Sequence, residues 1–344
     1  MPRVLDGLAA GIGGTPLVRL RRLEEGLGGG ELWAKLEWQN ASGSVKDRAA
    51  LSIVRAALAA SRIGPERRLL DATSGNTGIS YAMLGAVLGF GVTLVLPANA
   101  SIERKKVLYA YGAELVFTDA LEGMERAIET AREMAAREPG RYFHADQYSN
   151  PANWRAHFNG TAVEILAQTH GRITHFVAGL GTTGTFVGTA RRLRGEKAGV
   201  RCIGVIPDSP YHGLEGLKHL PSVHPPAIWD PQLADEIVEV STEVAQAMVL
   251  RLAREEGILA GMSAGATVLA TRRIMRRDGP GVYVTVLPDS GLKYLSEPLF
   301  ALDHELEVRA ESPEAPRRAA PQPTPRSAPQ PARPRRKRPR EESP

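Results

Sequence analysis

Short apolar runs alternate with longer amphipathic stretches along most of the chain. The runs at 32–37, 68–73, 92–97, 114–119, 142–146, 174–180, 201–207, 236–241 and 282–288 are rich in Val, Ile and Leu and read as strands. Most are continuously apolar, the pattern of strands covered on both faces. Stretches such as 121–138 and 242–257 space their apolar residues as one helical face does. Repeated strand–helix alternation predicts an α/β fold with parallel sheets. No internal repeat stands out.

Length and charge refine this picture. The 344 residues give room for two domains, at about 150 residues each. No apolar run approaches the ~20 residues of a membrane helix, and the first ten residues lack the pattern of a signal peptide. Cys202 is the one cysteine, so no intrachain disulfide can form, which suits a reducing cytosol. It lies in an apolar run and reads as a buried strand residue. The net charge of +5 suggests a nucleic-acid partner until it is located. Residues 311–344 hold nine Lys/Arg and four Asp/Glu, so the other 310 residues are formally neutral. Ten of the 25 prolines are there too, with almost no large apolar residue. Such a tail cannot bury enough surface to offset the entropy of ordering, and disorder is expected. Its run Arg335-Arg336-Lys337-Arg338 either touches RNA or an acidic partner, or is simply solvated.

Four segments rich in Gly, Ser and Thr fall at strand-to-helix junctions, where open α/β sheets bind ligands. In Ser42-Gly43-Ser44-Val45-Lys46-Asp47-Arg48, Ser44 and Asp47 have capping-box spacing, which predicts a helix from Val45. Lys46 then sits in the first turn, where a cation opposes the helix dipole. It is either a surface lysine or one that loses its charge and forms a Schiff base. Thr73-Ser74-Gly75-Asn76-Thr77-Gly78 is a capped turn or a carboxylate site. Gly179-Leu180-Gly181-Thr182-Thr183-Gly184-Thr185 can cradle a phosphate. It also reads as G-x-G-x-x-G with Asp208 downstream, the pattern of a nicotinamide-dependent oxidoreductase. In Gly261-Met262-Ser263-Ala264-Gly265 the serine either caps a helix or meets a ring nitrogen. Nothing in the pattern calls for a metal.

In this order, with Gly14-Thr15-Pro16-Leu17-Val18 and Gln147-Tyr148-Ser149-Asn150-Pro151-Ala152-Asn153, the segments resemble the cysteine synthase family. These are fold-type II pyridoxal phosphate enzymes, similar in architecture to the tryptophan synthase β chain. The resemblance covers residues 8–300 and implies two three-layer domains. The larger would comprise 1–43 and 146–303, the smaller and mobile one 44–145, with a disordered tail at 304–344. It implies Lys46 as the Schiff-base lysine and Asn76 on the cofactor's 3′ oxygen. Gly181, Thr182, Thr183, Gly184 and Thr185 would hold the cofactor phosphate, and Ser263 would face the pyridine nitrogen. Thr73, Ser74, Thr77 and Gln147 would hold the substrate carboxylate. The family often has glycine where Thr183 stands.

The implied reaction replaces the β-substituent of O-acetylserine with sulfide to give L-cysteine, with Lys46 taking the α-proton and returning it. O-phosphoserine is the alternative acceptor, fed by sulfide or a protein thiocarboxylate. Lys218 or His212 would then meet the phosphate. Cystathionine β-synthase-like activity is a further alternative. A cytoplasmic homodimer is implied, with serine acetyltransferase or a sulfur-carrier protein as a possible partner.

Overall fold

The computed structural model describes residues 7–301 apart from Ser74. Residues up to Leu295 belong to one compact unit. Of the second, Ser296–Pro344, the described residues 296–301 include a 3₁₀ turn at Pro298–Phe300. The expected tail at 304–344 lies outside the described residues.

Among the described residues ten strands build two sheets. They are β1 (Leu17–Arg19), β2 (Glu31–Leu36), β3 (Arg68–Ala72), β4 (Val92–Pro97), β5 (Glu114–Thr118), β6 (Tyr142–His144), β7 (His175–Gly179), β8 (Arg201–Pro207), β9 (Glu236–Val240) and β10 (Val282–Leu287). The larger sheet runs β1-β2-β10-β7-β8-β9 and the smaller β5-β4-β3-β6. Every pairing is parallel except β1 with β2. The α-helices are α1 (Arg21–Glu24), α2 (Lys46–Ala59), α3 (Asn76–Leu88), α4 (Ile102–Ala110), α5 (Gly123–Arg137), α6 (Pro151–Ala156), α7 (Ala162–Gln168), α8 (Gly184–Glu196), α9 (Thr242–Glu256) and α10 (Met262–Asp278). None of the described helices is long and apolar enough to cross a membrane.

Burial follows strand position. Every residue of β4 and β10 is buried, because helices cover both faces of these inner strands. The edge strands β5 and β9 keep exposed positions. One face of the small sheet packs Leu69 and Leu94 with Ile53 and Met83 from α2 and α3, while its other face packs Leu70 and Val95 on Ala127 and Ala131 of α5. In the large sheet Phe176, Cys202 and Val284 share a core with Phe186 of α8. Cys202 is thus a buried strand residue, and burial raises its thiol pKa to about 11.

All nine strands read from the apolar runs are present, with ends moved by at most two residues. β1 is the added element. Its three residues are too few for a hydrophobic period, and antiparallel pairing with β2 defines it. The capping box expected from Ser44 and Asp47 does not form. Val45 occupies the cap position without a side-chain cap bond, and the helix begins at Lys46. Asp47 instead accepts from the backbone N–H of Ser42 at 2.6 Å and from the hydroxyls of Ser42 and Ser80. Tertiary partners from α3 and the preceding turn outcompete the local cap.

Candidate active site

Lys46 stands at the N-terminus of α2, beside the C-terminal end of β10. The Val45 N–H donates to Pro288 O at 2.8 Å, and Ser44 pairs with Asp289 as an isolated bridge. The Lys46 side chain makes no hydrogen bond or ion pair among the described residues. Burial holds its pKa below the ordinary lysine value, and the nearby Asp289 carboxylate opposes that shift. Desolvation therefore favours the neutral amine, the form that attacks a carbonyl.

Asn76, at the start of α3 after the turn from β3, reaches the end of β10, where its Nδ2 donates to Asp289 Oδ2 at 2.7 Å. Deeper in the same turn the Thr77 hydroxyl donates to Gln147 Oε1 at 2.7 Å. The Gly75 N–H donates to Thr73 Oγ1 at 3.2 Å. Gln147 is fixed further, since its Nε2 donates to Ala72 O at 3.3 Å. Thr73, Thr77 and Gln147 are all buried, so hydroxyl and amide groups line one spot as a carboxylate site requires. Ser74, expected in the same group, lies outside the described residues.

The loop from β7 into α8 forms the other wall. A Cβ on Gly181 would overlap the carbonyl oxygen of Gly216, and one on Gly184 would overlap Asn153 Oδ1. Both positions therefore need glycine for close backbone approach. Asn153 Nδ2 donates to Gln147 O at 2.7 Å and to Thr182 Oγ1 at 3.2 Å, which ties this loop to the carboxylate turn. Thr185 Oγ1 lies 3.3 Å from Nε2 of His157, a buried imidazole whose pKa burial lowers to about 3. It is therefore neutral and can orient the threonine without adding charge.

Thr183 carries two marks of a ligand site. Its φ is 67°, a left-handed conformation that costs a β-branched residue ~1–3 kcal/mol. Its hydroxyl is buried with no hydrogen-bond partner at the N-terminus of α8. An unpaired buried hydroxyl beside free helix N–H groups fits a phosphate, which accepts from both. The positive φ also explains why glycine suits this position. Thr183→Gly should raise thermal stability by ~1 kcal/mol while weakening retention of a bound phosphate group. Calorimetry and a ligand titration would read these opposite signs, and a loss of stability would contradict the strain.

Ser263 is buried in the first turn of α10, two residues after Gly261, whose N–H donates to Asp289 O at 3.1 Å. Lys218 lies at the rim. Its Nζ is 3.7 Å from Glu125 of α5 and 5.0 Å from the Tyr148 ring centroid. His212 accepts from the Leu214 N–H at 3.2 Å through Nδ1, and burial lowers its pKa. Arg104 of α4 pairs with Glu215 in the rim loop. Sequence reading named Asn153 in a motif without giving it a role, and missed His157, Asp289 and Lys293. Asp289 was the accessible one, because it follows the run 282–288 at a strand's carboxyl end.

Residues 8–289 match the family described as pyridoxal-phosphate dependent enzyme. The chain is 49% identical over 296 residues to a cysteine synthase of Aquifex aeolicus, covering 84% of this chain and 90% of that one. The crystal structure of a cysteine synthase from Entamoeba histolytica superposes with a TM-score of 0.83 at 35% identity, covering 87% of this chain and 91% of that one. An O-ureido-L-serine synthase structure superposes with a TM-score of 0.81 at 36% identity, covering 89% and 100%.

Proposed function

The chain belongs to the pyridoxal-phosphate dependent enzymes as a member of their cysteine synthase group, and on that premise we propose that it makes L-cysteine from O-acetyl-L-serine and sulfide. The observation that carries the reading is the unpaired, desolvated Lys46 amine among three loops that offer phosphate, ring and carboxylate contacts. The nicotinamide reading of Gly179–Gly184 and Asp208 is not carried further, because the family uses a different cofactor.

We assign Lys46 to cofactor attachment, Asn76 to the 3′ oxygen and Ser263 to the pyridine nitrogen. Gly181, Thr182, Thr183, Gly184 and Thr185 are assigned to the phosphate. Thr73, Ser74, Thr77 and Gln147 hold the substrate carboxylate. When bound, pyridoxal phosphate supplies an electron sink for the substrate's α-carbon. The free Lys46 amine removes the α-proton at Nζ and later returns it. Thr77 and Ala72 O fix the Gln147 amide, which keeps one Nε2 hydrogen for the carboxylate, so ordering costs less when substrate arrives. Residues 44–145 form the mobile part in this reading, and its approach to the rim loop excludes water. The Arg104–Glu215 pair joins α4 to that loop and supports such a closure.

Acetylserine is the acceptor in this reading; Lys218, 3.7 Å from the exposed Glu125 and 5.0 Å from the Tyr148 ring centroid, is the cation that O-phosphoserine would call on. A doubly charged leaving group asks for a cation free to meet it. The O-ureido-L-serine synthase shares the fold, so the acceptor and nucleophile rest on local chemistry. We further assign a cytoplasmic homodimer.

The test is the visible spectrum of the purified protein with O-acetylserine and O-phosphoserine in separate cuvettes. The expected result is a yellow protein that gains a longer-wavelength band with O-acetylserine, removed by sulfide. The same response to O-phosphoserine alone would replace the acceptor. A protein still colourless after addition of pyridoxal phosphate would overturn the reading.

A further inference from the structure

Lys293 has no role in the chemistry derived above, yet its ammonium is placed against the site. It follows β10 in the 3₁₀ turn Gly291–Tyr294. Its Nζ donates to Asn76 Oδ1 at 2.7 Å and to Ser42 O at 3.1 Å. The other end of the Asn76 amide donates to Asp289 Oδ2 at 2.7 Å, and that oxygen also accepts from Tyr294 OH at 2.5 Å. Asp289 Oδ1 is buried with no partner. One neutral amide therefore spans a cation and a carboxylate.

This arrangement has one orientation. Turning the amide over would put its NH₂ against the ammonium and its oxygen against the carboxylate, losing two charge-assisted hydrogen bonds. In the observed orientation one Nδ2 hydrogen goes to Asp289 and the second remains to be donated. Burial disfavours the charged form of Lys293, while Asp289 and Asp47 favour it. Burial is the larger effect and, with Arg104, holds the Lys293 pKa below the ordinary lysine value, while the carboxylates oppose that shift.

We propose that Lys293 and Asp289 are positioning residues that grip the two ends of the Asn76 side chain and aim its second N–H at the cofactor's ring oxygen. The proposal rests on the assignment of Asn76 to that oxygen. It makes Asn76 the element through which both charges act. The competing role for Lys293 is structural: through Ser42 O it also steadies the segment that carries Lys46. That role would reach the cofactor without Asn76.

A double-mutant cycle separates the two. Full-length protein stripped of cofactor is titrated with pyridoxal phosphate, and affinity and visible band position are read. Lys293→Met and Asn76→Ala should each weaken affinity by about tenfold, the scale of one hydrogen bond to a charged group. Lys293→Arg should recover most of the loss. In the Asn76→Ala background, Lys293→Met should then cause no further loss and no further band shift. Losses that multiply, or an unchanged affinity in Lys293→Met, would overturn the clamp. Should Lys293→Met fail to fold, Lys293→Gln runs the same cycle, because it keeps a donor and removes the charge. Lys46 is intact throughout, so its visible band reports separately on the lysine assignment. A failed cycle with that band present sinks only the clamp.

Discussion

Lys46→Ala is expected to remove the lysine-dependent visible band of the cofactor-loaded protein and to lower kcat by about 10³-fold or more. Two functions sit on one nitrogen. The Nζ atom attaches the cofactor, and the same amine carries the α-proton off and back. Alanine removes both while leaving the α2 backbone undisturbed, since Lys46 has no side-chain partner among the described residues to lose. Thermal stability should therefore hold or rise, because desolvating the amine is a cost. Lys46→Arg should not rescue: its guanidinium stays protonated and is no nucleophile at neutral pH. Absorbance spectra and steady-state rates check this together. A variant that keeps the band would reassign the lysine, whereas one that merely unfolds would show it in calorimetry.

Arg48→Met should destabilise the protein by ~3–5 kcal/mol, the range for removing one partner of a buried ion pair. Arg48 Nε donates to Glu37 Oε2 at 2.6 Å, and its Nη1 donates to Glu164 Oε1 at 2.7 Å. Lys35 Nζ lies 2.6 Å from Glu164. Glu37 is fully buried and also accepts from Thr15 Oγ1 at 2.7 Å and Asn40 Nδ2 at 2.9 Å. The network joins β2, the turn after it, α2 and α7, with Arg48 two residues after Lys46 in the first turn of α2. Burial pushes the Glu37 carboxyl up, but Arg48 outweighs it and holds the pKa below its ordinary value. For Glu164 the same balance leaves a pKa of about 2. A depressed folded pKa means stability that is present above the ordinary carboxylate value and lost as pH falls through the folded one. The wild type should thus lose stability between about pH 4.5 and pH 2. In Arg48→Met that loss should shrink, because the carboxylates no longer have their cation. Denaturant melts across this window would show an equal acid sensitivity if the network contributed nothing.

Chemistry was legible where it was local. Glycines at 181 and 184 and the hydroxyls between them mark a strand-to-helix loop on sequence alone, and the structure adds why no side chain fits. Thr77 and Gln147 were each singled out, but their mutual hydrogen bond spans 70 positions and follows only from β3 lying beside β6. The Ser44–Asp47 spacing misled because a capping box is a local option, and Asp47 has a better-placed partner in Ser80. No pattern within a few residues of Lys293 distinguishes it from a surface lysine.

The sequence by itself determined the α/β alternation and, to within two residues, nine strands, because hydrophobic period and turn chemistry are properties of neighbouring residues. Lys46 was singled out by the family resemblance, since its own segment left a surface lysine open. Which charges surround that lysine was decided only in three dimensions. β10 is the last strand among the described residues, yet it is inserted between β2 and β7 near the middle of the large sheet. That placement carries Asp289 and Lys293 to Asn76 across 213 and 217 residues. Parallel pairing requires a crossover for every strand, so strand order is not sequence order and the neighbours at the carboxyl ends are set by the assembled sheet.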